Sequence, residues 1–268
     1  MKNIKAVFMD LDGTTLREDL TVSDKLKEKI NELEEKGIKF FVSTGRSYKS
    51  SKPYVDELGL KNETITYNGA RIVSINCVSD EIYEQPLSEK IVEKLIDVSR
   101  NKKIHLNLYN NDDLYVENNS KEAIAYSKGV GIDFILDSFD NFIGKTSTKG
   151  LFIAENSVLL NLKEELEKII SEVNYVFSKP HYLEVLNKNV NKGKAVQHVL
   201  EKHGISKEEA IAFGDQWNDY EMLETVKYGI LMGNAPKELK QKFPKDRITL
   251  SNDEDGIVHM LEKLVVEQ

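Results

Sequence analysis

The residues best suited to chemistry lie near the start of the chain, where Asp10 and Asp12 are followed by Gly13 and a threonine. The four apolar residues 6–9 before them are typical of a short strand that is buried on both faces. If the strand continues, its two-residue period points both carboxylates the same way, and the glycine then lets the chain turn sharply. Two carboxylates held so close repel each other unless a cation lies between them or one carries a proton. The stretch therefore predicts a cation site or an acid–base pair, and the alternative is a solvated Asp-Gly turn.

Three further polar clusters occur at corresponding places along the chain. They are Ser43-Thr44-Gly45-Arg46, Lys192-Gly193, and Gly214-Asp215 with Asn218-Asp219. The first and the third follow short apolar runs that predict buried strands, and the second opens a predicted helix. Because parallel strands place their carboxyl ends at one edge of a sheet, all four clusters are expected to meet there. Their joint occurrence favours one shared site over four unrelated surface turns.

The elements around these clusters predict a doubly wound α/β core. Ser23 is placed to cap a helix whose apolar residues recur at helical spacing until Gly37 ends it. Residues 38–44 then form a second strand, so that strand, helix and strand make a right-handed unit with parallel strands. Thr44 should therefore lie beside Asp10 at the edge of the sheet.

The middle of the chain has a different character. The pattern of residues 81–187 predicts helices and strands in the mixed order of an α+β domain. The alternation of strands and helices typical of a doubly wound fold resumes with a helix that begins at Lys192. The predicted fold class is therefore α/β, with a doubly wound parallel-sheet core of residues 1–80 and 188–268. The α+β domain of residues 81–187 is inserted into that core.

The segments next to the inserted domain and at the end of the chain give weaker signals. Asn68-Gly69 predicts a tight turn between two strands. The elements predicted in these segments are strands at 64–67, 71–75 and 248–250 and a last helix at 254–265.

Composition restricts the classes of partner and the compartment. The formal charge of −8 and the pI near 5.3 argue against binding to nucleic acid or to an anionic membrane surface. Cys77 is the only cysteine, which excludes an internal disulfide and fits a reducing compartment. The chain starts without a signal-peptide layout and has no apolar run near the ~20 residues that a membrane helix needs. We expect a soluble, cytoplasmic protein, and the oligomeric state (monomer or dimer) stays open.

The four clusters, taken in order, resemble the motifs of the haloacid dehalogenase superfamily of phosphatases. The stretches similar to its first, second, third and fourth motifs are residues 10–14, 43–46, 192–193 and 214–219. The chain more closely resembles the Cof-type sugar-phosphatase branch, in which a sizeable α/β cap is inserted between the second and third motifs. Asn68-Gly69-Ala70 and the segment 232–235 also resemble that branch.

The resemblance implies a magnesium-dependent phosphatase that acts on small phosphorylated metabolites such as sugar phosphates. Asp10 would attack phosphorus and form an aspartyl-phosphate, while Asp12 would protonate the leaving group and then activate water. The carboxylates of Asp10 and Asp215 and the backbone carbonyl of Asp12 would hold Mg²⁺. The residues expected to bind the phosphoryl group are Leu11, Thr44, Gly45, Lys192 and Asn218.

Two further residues have less defined roles under the same resemblance. Asp219 would support either the water ligands of the metal or Lys192. Arg46 is placed either to reach the substrate or to cap a helix or form a salt bridge. The cap would close over the site, exclude water and recognise the leaving group. Two alternatives stay open, a phosphomutase that returns the phosphoryl group to a sugar and a non-catalytic sensor of phosphate ligands on the same fold.

Overall fold

The computed structural model describes residues 3–74 and 83–266, and the chain divides into two compact units. The core unit combines residues 1–83 with residues 191–268, and the inserted unit is the continuous stretch 84–190. Both boundaries lie three residues beyond the predicted ones.

The strands and helices of the described residues are numbered in chain order. The strands are β1 (Ala6–Met9), β2 (Lys39–Ser43), β3 (Thr64–Thr66), β4 (Arg71–Val73), β5 (His105–Asn110), β6 (Asp113–Val116), β7 (Phe134–Leu136), β8 (Lys149–Ile153), β9 (Val173–Lys179), β10 (Tyr182–Asn187), β11 (Ala210–Gly214) and β12 (Tyr228–Leu231). The helices are α1 (Asp24–Glu35), α2 (Tyr48–Glu57), α3 (Glu89–Lys102), α4 (Lys121–Val130), α5 (Asn156–Ile169), α6 (Lys192–His203), α7 (Tyr220–Thr225), α8 (Lys237–Lys240) and α9 (Gly256–Leu261). Within the part of the chain that the structure describes, no helix combines the length and the apolar character needed to cross a membrane.

The core unit is organised around β1, which lies inside a sheet whose described strands run in the order β12–β11–β1–β2–β3–β4. All neighbours in this sheet are parallel except β3 and β4. Val7 and Met9 pack with α1 and α9 on one face, whereas Ala6 and Phe8 pack with α6 and α7 on the other. Burial on both faces explains the unbroken apolar run, and the predicted doubly wound core is confirmed.

The carboxyl ends of the parallel core strands meet at one edge of the sheet. Met9 of β1 lies beside Val42 of β2 and Phe213 of β11 in parallel register. Each strand therefore delivers the residues that follow it to the same edge. The polar residues delivered in this way are Asp10, Thr44 and Asp215.

The inserted unit is a mixed α+β domain, as predicted. Its sheet runs in the order β7–β6–β5–β8–β10–β9, and the paired strands are antiparallel except β6 and β7. Apolar residues from one face of this sheet pack with α3 and α5 in a single cluster. The unit therefore has a hydrophobic core of its own.

A buried ion pair lies on the other face of the inserted sheet. Lys149 Nζ is 3.3 Å from Glu184 Oε1, and both side chains are buried. Burial alone would lower the pKa of Lys149, but the Glu184 carboxylate more than offsets this and raises it. The Lys149 ammonium also lies 5.1 Å from the centre of the Tyr109 ring, which favours the charged form further.

Several short elements differ from the sequence predictions. The strand predicted at 248–250 is reduced to a single bridge between Ile248 and Leu231. Helix α9 starts at Gly256 because Asp255 before it has a φ of 57°, which a right-handed helix does not include. Strand β7 and helix α8 were not predicted, since three and four residues are too few to show a period. The predicted end of the strand 71–75 lies outside the described residues.

We expect Lys149→Met to lower the free energy of unfolding of the inserted unit by about 3 to 5 kcal/mol. The substitution leaves the Glu184 carboxylate buried without its counter-charge. Urea denaturation followed by circular dichroism measures the change. Lys163→Met is the control, because it removes a more exposed partner of Glu167 and should cost less than about 0.5 kcal/mol. Equal losses in the two variants would contradict this account.

Candidate active site

The turn after β1 places the first polar cluster against the neighbouring strand. The backbone N–H of Asp10 donates to the carbonyl of Phe213 in β11 at 3.0 Å, and the Asp10 side chain is buried. Gly13 has a φ of 73°, in the left-handed region that favours glycine. A Cβ atom at Gly13 would lie 2.5 Å from Asp215 Oδ2. Gly13 is therefore needed both for the turn and for the close approach of Asp215.

Lys192, at the first position of α6, forms the centre of the site. Its ammonium lies 2.7 Å from Asp10 Oδ1 and 2.6 Å from Asp219 Oδ1, and its side chain has no exposed surface. Burial alone would lower the pKa of Lys192, but Asp10 and Asp219 overcome this effect and raise it. Lys192 is therefore held in its charged form.

Asp215 and Asp219 follow β11 and use their oxygens differently. Asp215 Oδ1 accepts a hydrogen bond from the Thr14 hydroxyl at 2.9 Å. Burial, reinforced by the charge of Asp219, raises the pKa of Asp215 to about 6. Asp219 Oδ2 accepts from the backbone N–H groups of Asp215 and Gln216, both at 2.9 Å, while its Oδ1 accepts from Lys192. Both oxygens of Asp219 are thus engaged by protein donors.

The charges of this cluster fit a divalent cation. Carboxylate oxygens of Asp10, Asp215 and Asp219 lie within 4.8 Å of one another, and all three residues are buried. The three carboxylates and the Lys192 ammonium together carry a net charge of −2. Burial, together with repulsion by Asp219 and Asp215, raises the pKa of Asp10. A cation of charge +2 would balance the sum, and carboxylate oxygens are the ligands that such hard cations prefer. Protein donors engage both oxygens of Asp219, whereas Lys192 contacts only Oδ1 of Asp10 and Thr14 contacts only Oδ1 of Asp215.

The side chain of Asp12 does not join this cluster, contrary to the expectation that Asp10 and Asp12 point the same way. Its carboxylate is half-exposed and bound to Arg46, with Nε 2.7 Å from Oδ2 and Nη2 2.5 Å from Oδ1. The reason is local, because β1 ends at Met9 and the alternation of a strand does not continue into the turn. Arg46 therefore forms a salt bridge, which is one of its predicted roles. This salt bridge connects the second polar cluster, residues 43–46, with the first, residues 10–14.

Three of the five residues expected to bind a phosphoryl group are placed as follows. Thr44 is fully buried, and its Oγ1 accepts from the Arg46 N–H at 3.1 Å, which leaves the hydroxyl hydrogen to donate elsewhere. Asn218 is half-buried, and its Nδ2 donates to Asn68 Oδ1 at 3.0 Å. The Leu11 side chain belongs to the hydrophobic core, so only its backbone can face a ligand.

Three side chains without a predicted role hold the site together. Thr14 binds Asp215, as described above, and Asn68 binds Asn218. Asn234 Nδ2 donates to the Gly13 carbonyl at 2.7 Å. Thr14 belongs to the first polar cluster, and both asparagines lie in segments singled out by resemblance. A sequence signal was therefore present for each of these residues, but nothing in the sequence indicated which residue each one binds.

Comparisons with known proteins identify the family and the fold of the chain. Residues 7–261 match the sequence model of a family described as haloacid dehalogenase-like hydrolase. The HMP-PP phosphatase of Yersinia pseudotuberculosis serotype O:1b (strain IP 31758) is 30% identical over 253 residues, which cover 94% of this chain and 92% of the relative. A haloacid dehalogenase-like hydrolase from Bacteroides thetaiotaomicron matches with a TM-score of 0.88 and 27% identity, covering 97% of this chain and 99% of its own. A subclass IIB sugar phosphatase of the same superfamily shares the fold, with a TM-score of 0.81 and 24% identity over 97% of this chain and 98% of its own.

The raised pKa of Asp215 predicts a pH dependence of stability in the metal-free protein. The pKa of this carboxyl group rises on folding from 3.8 to about 6, so its protonated form stabilises the folded chain fully when the pH is below 3.8. That contribution is lost as the pH rises through the higher value. Asp215→Asn keeps an acceptor for Thr14 but cannot ionise, so its free energy of unfolding relative to wild type should be about 2 to 3 kcal/mol higher at pH 8 than at pH 4.

Urea denaturation in EDTA across this pH range measures the difference. The exposed Asp246 offers a control, since Asp246→Asn should follow the wild-type pH dependence. A wild type and an Asp215→Asn variant with parallel pH profiles would refute the prediction.

Proposed function

We propose that this chain, which belongs to the haloacid dehalogenase-like hydrolase family and is a phosphoric monoester hydrolase, cleaves small phosphorylated metabolites with Mg²⁺ through an aspartyl-phosphate on Asp10. The observation that carries the proposal is the buried contact of Lys192 with Asp10 at 2.7 Å, beside Asp215. This contact supports the proposal because the carboxylate proposed as nucleophile, the lysine ammonium proposed to bind phosphate and the carboxylate proposed as metal ligand come from distant parts of the chain.

The metal would be held by the carboxylates of Asp10 and Asp215 and by the backbone carbonyl of Asp12. Bound Mg²⁺ would offset the negative charges of the carboxylates and of the phosphate dianion, so that the two can approach. Asp219 would not bind the metal, because Lys192 and two backbone N–H groups already occupy its oxygens. Its role is to hold Lys192 and the backbone at Asp215.

The first chemical step uses both aspartates. A carboxylate oxygen of Asp10 forms a bond to phosphorus while the bond from phosphorus to the ester oxygen breaks. Asp12, in its protonated form, gives a proton to the departing alkoxide. In the second step Asp12 takes a proton from water as that water attacks phosphorus. The bond from phosphorus to Asp10 then breaks, which releases phosphate and restores both carboxyl groups to their starting states.

The surrounding groups bind and orient the phosphoryl group. Lys192 and the free hydroxyl hydrogen of Thr44 donate to its oxygens, together with Asn218 and the backbone N–H groups at Leu11 and Gly45. Arg46 positions Asp12 through its two hydrogen bonds, and its guanidinium carbon also lies 5.0 Å from the centre of the Tyr54 ring. Asp12 is half-exposed, which suits a residue that must exchange protons with a leaving group and with water.

The similar proteins and the inserted unit support a small phosphorylated metabolite as the substrate. Two proteins similar to this chain, an HMP-PP phosphatase and a sugar phosphatase, are both phosphatases. We assign recognition of the leaving group to the inserted unit, residues 84–190, which has its own hydrophobic core. The net charge of −8 and the single cysteine support a cytoplasmic enzyme that does not bind nucleic acid.

Phosphate release from a chromogenic aryl phosphate tests the reaction. We expect activity that requires Mg²⁺ and that Asp10→Asn lowers by at least about a thousandfold, equivalent to ~4 kcal/mol of barrier. Asp12→Asn should still form the aspartyl-phosphate, because an aryl oxide leaves without a proton, but should hydrolyse it slowly. Intact-protein mass spectrometry should therefore detect a phosphorylated Asp12→Asn chain.

The same assay separates the alternatives. Activity that survives both EDTA and Asp10→Asn would exclude the phosphatase mechanism. Little free phosphate, together with a requirement for a sugar bisphosphate, would indicate a phosphomutase. Binding of phosphate without turnover by the wild type would indicate a sensor. Asp246→Asn, at an exposed acid, should retain wild-type turnover.

Metal binding is expected to have a thermal signature that does not depend on activity. A ligand that binds only the folded state at about a hundred times its Kd stabilises that state by ~2.7 kcal/mol. Mg²⁺ should therefore raise the unfolding temperature of the wild type, and the increase should be lost in Asp215→Asn. An equal increase in both proteins, measured by differential scanning calorimetry, would place the ion elsewhere.

A further inference from the structure

The turn between β3 and β4 has an unusual backbone for its sequence. Tyr67, Asn68 and Gly69 have φ angles of 51°, 57° and 98°, so three consecutive residues lie in the left-handed region. Asparagine and glycine tolerate this region, but a bulky residue such as tyrosine is a genuine outlier there. Such strain persists only where surrounding contacts enforce it, and it concentrates at functional sites. The contacts of this turn therefore indicate what it is for.

One set of contacts reaches the second polar cluster. The Asn68 N–H donates to the Thr44 carbonyl at 3.0 Å, and the Tyr67 N–H donates to the Arg46 carbonyl at 3.0 Å. The Asn68 side chain also lies against Gly45, where a Cβ atom would be 3.1 Å from Asn68 Oδ1. The turn thus holds all three residues of the Thr44–Arg46 segment.

Other contacts reach the third and fourth clusters. Gly69 packs against the residue that caps α6, since a Cβ atom at Gly69 would lie 2.5 Å from the Asn191 carbonyl oxygen. Asn191 directly precedes Lys192. The side chain of Asn68 accepts a hydrogen bond from Asn218 Nδ2 at 3.0 Å. One three-residue turn therefore contacts each of the segments that carry Thr44, Lys192 and Asn218.

We propose that Asn68 is a positioning residue for phosphoryl transfer, a role that rests on the proposed function. Its backbone fixes the Thr44 segment, and its side-chain carbonyl orients the carboxamide of Asn218 toward the phosphoryl group. Asparagine suits both tasks, because it accepts the left-handed conformation and supplies a neutral acceptor. An aspartate would also accept from Asn218, but it would place a negative charge beside a phosphate dianion.

A plain hairpin turn is the competing explanation, since Asn-Gly is a common turn dipeptide. The two explanations differ in what they require at position 68. Glycine satisfies a left-handed turn fully but removes the acceptor for Asn218. Asn68→Gly therefore separates the backbone role from the side-chain role while the fold is kept.

The experiment measures kcat and KM for an aryl phosphate in the presence of Mg²⁺. We expect Asn68→Gly to lower kcat/KM about tenfold, which corresponds to ~1.4 kcal/mol or one hydrogen bond. If Asn68 acts through Asn218, the double variant Asn68→Gly/Asn218→Ala should be no more than about threefold slower than Asn218→Ala alone. Asn111→Gly is the matched control, because Asn111 is an exposed asparagine with a φ of 49° in the inserted unit. Its kcat/KM should equal that of wild type.

Binding of inorganic phosphate, measured by calorimetry with Mg²⁺ present, provides a readout without turnover. Asn68→Gly should weaken this binding, and Asn68→Asp should weaken it further through its added negative charge. Asn68→Asp also keeps the left-handed turn, so it tests the proposal even if Asn68→Gly fails to fold.

The outcomes separate the two proposals. An active wild type with full kcat/KM in Asn68→Gly, or with losses that multiply in the double variant, would overturn the positioning role alone. Unchanged phosphate affinity in Asn68→Asp would overturn it as well. A wild type that neither releases nor binds phosphate would overturn the proposed function and the positioning role with it.

Discussion

A lysine ammonium held between two carboxylates in the interior of the core unit is the interaction on which the rest of the site depends. Lys192 has no exposed side-chain surface, and Asp219 has none either. A buried charge without partners costs several kcal/mol, so the lysine keeps its proton only while Asp10 and Asp219 stay in place. The first residue of α6, the end of β1 and the turn before α7 are therefore fixed relative to one another by a single charged group.

The contrast between Asp10 and Asp12 shows how two residues separated by one position acquire different surroundings. Asp10 is buried and anchored to β11, whereas Asp12 is half-exposed and faces the guanidinium of Arg46. Carboxyl groups in such different surroundings are suited to different tasks, as enzymes with paired acids commonly require. The end of β1 at Met9 creates the difference, because the chain leaves the strand between the two residues.

The sequence could predict the elements and residues whose signals are local. The apolar run before Asp10 identified the central strand, and helical spacing placed α6 at its observed bounds. The order of the predicted elements indicated that the polar clusters of Asp10, Lys192 and Asp215 meet at one edge of the sheet, whereas their burial became visible only in the structure. The direction of the Asp12 side chain was not predictable, because it depends on where a strand ends and on a salt bridge to Arg46. The contacts of Asn68 were equally hidden, since a turn signal gives no information about which distant segments pack against it.

The order of the core sheet has a consequence for how the chain is made. β1 pairs with β11, and Thr14 binds Asp215 across 201 residues of sequence. On a ribosome that adds about 5 to 20 residues per second, the central strand lacks this neighbour for roughly 10 to 40 seconds. Its unpaired backbone groups form an open edge during that time, to which other nascent strands can bind. The inserted unit is contiguous and contains its own apolar cluster, so its residues are all synthesised while that edge is still open.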